Sequence, residues 1–97
     1  MERFVYLNNL FDIYQDLLTE KQKIYFKEYY FNNLTYQEIG DKYNISKNAS
    51  FNQIKIIVDK LEEFEKILKI YDKKNKINDI IKLESNENIK DLLKNLF

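Results

Sequence analysis

Apolar residues recur along this chain at helical spacing, and the pattern divides it into segments. Phe4, Leu7, Phe11, Tyr14 and Leu18 follow one another at intervals of three, four, three and four, and Leu10 and Leu17 widen the stripe. Such spacing puts them on one side of an α-helix over about residues 2–17, with a face that must be buried. Thr19 and Gln22 have capping-box spacing and predict a second helix over residues 19–31. Its apolar rows are Tyr25, Phe26, Tyr29 and Tyr30, with Lys21, Lys23, Lys27 and Glu28 expected outside. The rhythm returns at Ile54, Ile57, Leu61, Phe64, Leu68 and Tyr71, flanked by Val58 and Ile67. No helix breaker precedes Asp72, so the pattern predicts unbroken helix to about Tyr71 with the period of a coiled-coil seam. That seam needs a partner. Residues 2–17 of the same chain are one; a second copy, giving a homodimer through Ile54–Tyr71 alone or in addition, is the other.

Between these stripes, Leu34 to Val58 predicts two helices joined by a tight turn. Thr35 and Glu38 make a second capping box, and Leu34 and Ile39 have the spacing of a hydrophobic staple. Asn32-Asn33 supplies the turn into Thr35. Gly40 falls inside the first of the two helices, where glycine costs about 0.5–1 kcal/mol against alanine. A close approach of the following helix accounts for it. Asn44 tolerates the left-handed conformation that ends the helix, Ile45 plugs the angle, and Ser46 caps the next helix. Ala49 and Ile54 are expected to face inward. Lys47, Asn48, Phe51, Asn52 and Lys55 are expected on the open face. With the helix at 19–31, this is the three-helix unit of a helix-turn-helix protein.

After Tyr71, the basic cluster Lys73, Lys74 and Lys76 predicts a polar helix end or turn. Ile77, Ile80, Ile81 and Leu83 suit a short amphipathic helix. Ser85 suits the cap of a last one carrying Ile89, Leu92, Leu93, Leu96 and Phe97. The expected fold is all-α: a helix-turn-helix unit with an N-terminal packing helix, a long extended recognition helix and short C-terminal helices. One helical domain is expected over 1–97, with a helix-turn-helix core at 19–58 and an extension at 59–97.

Composition narrows the function. The 97 residues include no proline, one glycine, no cysteine and no histidine. That removes disulfides, thiol nucleophiles, histidine bases and zinc fingers. Acidic side chains have lysine company at helical spacing, as in Glu62 with Lys66 and Glu65 with Lys69, which suits solvated helix faces. With no glycine-rich phosphate loop either, no catalytic residue, cofactor or metal is expected, and the chain is not read as an enzyme. Formal charge is zero; residues 1–45 hold five basic and seven acidic side chains, residues 46–97 eleven and nine. Lysine and arginine contacts to phosphate dominate nucleic-acid affinity, so this balance opposes strong non-specific binding. No apolar run approaches the roughly 20 residues of a membrane span, and Asp12 and Asp16 break any signal-peptide pattern. No membrane insertion and a cytoplasmic location are expected.

Several of these residues carry a family resemblance. Leu10–Lys55 closely resembles the YlxM family of small bacterial helix-turn-helix proteins. The segment Leu10–Gln22 is the most specific part, and Tyr29-Tyr30, Glu38-Ile39 and Asn44-Ile45-Ser46 agree with it. The likeness covers about two-thirds of the chain and fades after Tyr71. In that family position 50 is usually aliphatic, position 51 tyrosine and position 56 often arginine, whereas this chain has Ser50, Phe51 and Ile56. The first of these departures loosens packing under the recognition helix and the last removes a phosphate contact. The motif half is also similar to region 4 of sigma factors. The resemblance implies an all-helical cytoplasmic protein. Because the family's genes usually lie beside those of the signal recognition particle GTPase and its receptor, it also implies a role in, or regulation of, that pathway.

Two functions remain open. One is a regulator binding nucleic acid, either DNA or signal recognition particle RNA, through Lys47, Asn48, Phe51, Asn52 and Lys55. Asparagine pairs with adenine, lysine with guanine or phosphate, and an aromatic edge with the thymine methyl. The other is an accessory factor that uses the corner to contact signal recognition particle protein or RNA.

Overall fold

The computed structural model describes residues 2–83, 91, 92, 94 and 95. Among these residues there are five α-helices and one 3-10 turn: α1 Glu2–Tyr14, the turn Gln15–Leu17, α2 Glu20–Tyr30, α3 Tyr36–Tyr43, α4 Lys47–Leu68 and α5 Ile70–Leu83. No strand occurs among them. The all-α, helix-turn-helix architecture is present.

The caps form where the sequence places them. Thr19 Oγ1 accepts from the Gln22 amide at 3.1 Å while the Gln22 side chain accepts from the Thr19 amide at 3.0 Å. Thr35 and Glu38 repeat the arrangement at the same two distances. Each box satisfies two amides that a helix start otherwise leaves unpaired.

One core joins α1, α2, α3 and α4 as far as Leu61. Leu7, Leu10, Phe11, Tyr14, Leu18, Tyr25, Phe26, Ile39, Ile54, Ile57, Val58 and Leu61 are all buried. The rings of Phe11 and Phe26 stack at 4.3 Å and 4°. Thus α1 covers the α4 stripe within the chain, and Arg3 pairs with Glu62 at 2.7 Å across the two helices. The stripe is narrower than its spacing suggested. Phe4 is exposed, and so is Leu17, which the 3-10 turn rotates outward after α1 ends at Tyr14.

The predicted continuous helix from Ile54 to Tyr71 is corrected. It breaks at Lys69, whose backbone is left-handed (φ 53°, ψ 33°), and α5 begins at Ile70. A non-glycine residue in that conformation carries a local cost, and tertiary hydrogen bonds offset it. The Glu65 carboxylate accepts from the Tyr71 amide at 3.0 Å and the Asp72 amide at 3.2 Å, capping α5. The Tyr14 hydroxyl donates to Glu65 at 2.6 Å and accepts from the Ile70 amide at 3.2 Å. Burial, then the bond to Glu65, pushes this hydroxyl's pKa up to about 12. So Glu65 serves the elbow rather than an ion pair with Lys69, and Glu62 is taken by Arg3 rather than Lys66. The basic cluster, expected at a helix end or turn, lies within α5, where Lys76 pairs with Asp72 at 3.1 Å. The last predicted helix falls mostly on Ser85, Ile89, Leu93, Leu96 and Phe97, outside the described residues; Leu92 is exposed.

Glu28 is also corrected: it is buried, at 4% exposure, not solvated. Lys42 Nζ lies 2.6 Å from it, the Tyr43 hydroxyl donates to it at 2.6 Å, and Asn32 Nδ2 donates at 2.7 Å. The carboxylate therefore ties α2 to the end of α3. Lys42, then Tyr43 and Asn32, draw its pKa down to about 2, against the cost of burial. A depressed folded-state pKa stabilises above the unfolded value and loses that contribution as pH falls through the folded one. Between about pH 5 and pH 2 the wild type should therefore lose roughly 1–2 kcal/mol that Glu28→Gln does not, allowing for screening by nearby solvent. Urea denaturation of both proteins across that range measures it; parallel acid profiles would contradict the assignment.

Candidate nucleic-acid interface

The corner between α3 and α4 is set by backbone fit. A Cβ placed on Gly40 would lie 2.6 Å from the Ile45 carbonyl oxygen and 3.3 Å from the Ser46 carbonyl carbon. Both are main-chain atoms of the turn, so only glycine lets the turn fold back onto α3. Asn44 is left-handed (φ 57°, ψ 45°) and its amide donates to the Gly40 carbonyl. Ser46 Oγ then accepts from the Ala49 amide at 3.0 Å and starts α4.

Ser50 sits beneath the first turns of α4 and is fully buried. Its hydroxyl donates to the Ser46 carbonyl at 3.1 Å, so this buried polar atom is satisfied. Ala49, expected inward, is only half-buried, and Ile54 is buried as expected.

Lys47, Asn48, Phe51, Asn52 and Lys55 are all exposed. Positions at i, i+1, i+4, i+5 and i+8 share one helix face, so α4 brings all five together. No acidic residue occurs on α4 before Asp59. On the neighbouring α3, Glu38 is engaged by the Thr35 amide and Asp41 by Gln37 Nε2. Among the described residues, neither Lys47 nor Lys55 has a carboxylate within ion-pair distance.

Phe51 is not isolated. Its ring meets that of Tyr36 edge-on at 5.3 Å, and Tyr36 stacks on Tyr29 at 4.7 Å and 4°. Tyr29 meets Tyr30, which stacks on Phe26 in the core. A file of rings thus runs from the core to the exposed face. Burial, then the neighbouring Tyr29 hydroxyl, raises the Tyr36 pKa. Beside Tyr36 lies an open groove of about 720 Å³, with Phe4, Tyr29 and Leu34 among its apolar lining and Lys47 among its polar lining. Tyr29 belongs to an apolar row legible in the sequence, whereas Tyr36 does not. The only signal was an aromatic one turn before Gly40, and its partners lie on other helices.

Comparison with known proteins agrees with this corner. A family model described as "UPF0122: Putative helix-turn-helix protein, YlxM / p13 like" matches residues 1–96. The chain belongs to the UPF0122 family. It is 39% identical over 69 residues to a UPF0122 protein of Shouchella clausii, covering 71% of this chain and 63% of that one. It is 41% identical over 68 residues to a UPF0122 protein of Bacillus pumilus, and 40% identical over 68 residues to one of Bacillus cereus. Both of these matches cover 70% of this chain and 62% of the relative. The matched region thus spans less than two-thirds of these UPF0122 relatives. No helix among the described residues is long and apolar enough to cross a membrane.

Proposed function

We propose that this UPF0122 chain is a cytoplasmic regulator that binds nucleic acid through the exposed face of α4. The observation that carries the reading is the convergence of Lys47, Asn48, Phe51, Asn52 and Lys55 on one acid-free face of a helix held at a glycine-closed corner. Lys47 and Lys55 meet phosphates, which fix position without reading sequence. Asn48 and Asn52 reach base edges, where an amide presents both donor and acceptor. Phe51, braced by Tyr36, supplies apolar contact. The family resemblance directs the search for a target to the signal recognition particle pathway.

Titration against signal recognition particle RNA and promoter-region DNA, at low and physiological salt, tests this. Lys47→Ala and Lys55→Ala should each weaken binding to every sequence and reduce the salt slope by about one. Asn48→Ala and Asn52→Ala should each cost about 1–3 kcal/mol and relax sequence preference. Absence of binding to either nucleic acid would overturn the reading. Zero formal charge favours a second reading, an accessory factor whose corner contacts signal recognition particle protein or RNA. In that case a lysate pull-down should retain its protein partner after nuclease treatment and lose it in the double Lys47→Ala/Lys55→Ala variant.

A further inference from the structure

We infer that the groove beside α4 holds one unstacked nucleobase, with an adjoining phosphate at Lys47. The inference rests on the proposed nucleic-acid binding by α4 and adds the kind of target: a strand with an unpaired nucleotide. Two features of the lining favour this occupant. The groove has aromatic walls, Phe4, Tyr29 and Tyr36, and a base has an apolar face to set against them. Its polar lining includes Asn33 and Gln37, whose amides suit the edge of a base. Gln37 Nε2 is occupied by Asp41, which leaves its carbonyl oxygen as an acceptor.

Charge and position complete the fit. Among the described residues, Lys47 is the one charged residue in the lining, and no carboxylate lines the groove. Lys47 also opens α4, so the groove continues directly from the face proposed to follow the backbone. An apolar peptide carries no anion to set against Lys47, whereas a nucleotide does. A fully paired base keeps its faces within the helical stack, so the nucleotide must come from a bulge, a loop or a single strand. The groove volume of about 720 Å³ is of ligand size.

The test uses a short duplex carrying one unpaired 5-iodouridine and its fully paired counterpart, each made as RNA and as DNA. The unpaired probe should bind roughly five- to hundredfold more tightly than the paired one, the range that base stacking on an aromatic side chain supplies. Irradiation should crosslink it to Phe4, Tyr29 or Tyr36, mapped by mass spectrometry of the protein. Phe4→Ala should remove the advantage and leave paired-duplex binding unchanged. An advantage seen in only one of RNA and DNA identifies the source and supports the inference. Equal affinities for paired and unpaired probes, or crosslinks confined to α4, would overturn it. If the paired duplex binds and Lys55→Ala weakens it while the unpaired nucleotide adds nothing, the groove falls and the α4 reading stands. If no probe binds, both fall.

Discussion

Leu61→Asp is expected to unfold the chain, not to dissociate an otherwise intact dimer. Leu61 is fully buried beside Ile57, under α1. Truncating a buried leucine to alanine already costs about 2–5 kcal/mol, and aspartate adds the penalty of a carboxylate with no partner in an apolar site. Domains of this size are stable by roughly 5–15 kcal/mol, so the substitution removes much or all of that margin. Leu61→Ala should leave a folded protein with a lower urea midpoint, and circular dichroism of the Asp variant should show loss of helix at 25 °C. Sedimentation adds the decisive comparison. If the seam served a second copy at this position, Leu61→Asp would be a folded monomer. The structure leaves only the distal end of the seam, at Ile67 and Leu68, open to solvent.

The fate of that seam shows which features could be read from the chain. Local chemistry was legible. Both capping boxes, the left-handed Asn44, the Ser46 cap and the reason for Gly40 involve residues only a few positions apart, and a short-range pattern encodes each. The pairing of α1 with α4 was legible as complementary stripes. The break at Lys69 was not, because the apolar rhythm runs through it without a proline or glycine. Glu65 caps the break, and it is tied there by Tyr14, 51 residues before Glu65 and 56 before Ile70. Glu28 is a similar case: its burial depends on Lys42 and Tyr43, which reach it only once α3 has docked. A glutamate on a helix beside lysines has the same local pattern whether it is solvated or enclosed. For the candidate interface, the five α4 side chains followed from helix geometry. The ring file from Phe51 through Tyr36 to Tyr29 joins three helices and had no linear signature.

Gly40→Ala is expected to destabilise the protein, reversing the usual sign of this substitution in a helix. At a helical position with free space, alanine in place of glycine stabilises by about 0.5–1 kcal/mol. Here the added methyl would sit 2.6 Å from the Ile45 carbonyl oxygen, and the Lys47 amide nitrogen is only 3.4 Å away. Backbone atoms cannot rotate aside as a side-chain tip would, so α4 must tilt away from α3. Overpacking of this kind costs about 1–3 kcal/mol, which exceeds the propensity gain. The tilt also displaces Lys47, Asn48, Phe51, Asn52 and Lys55 as a group while leaving each one chemically intact. Gly40→Ala should therefore lower the urea midpoint, shift the amide resonances of the turn and the first turns of α4, and weaken the proposed nucleic-acid binding more than any single lysine replacement. Lys66→Ala, at an exposed position on the same helix, is the control and should change stability by no more than about 0.5 kcal/mol. A Gly40→Ala protein more stable than wild type would mean that the corner has room, and that glycine is not what sets the angle of α4.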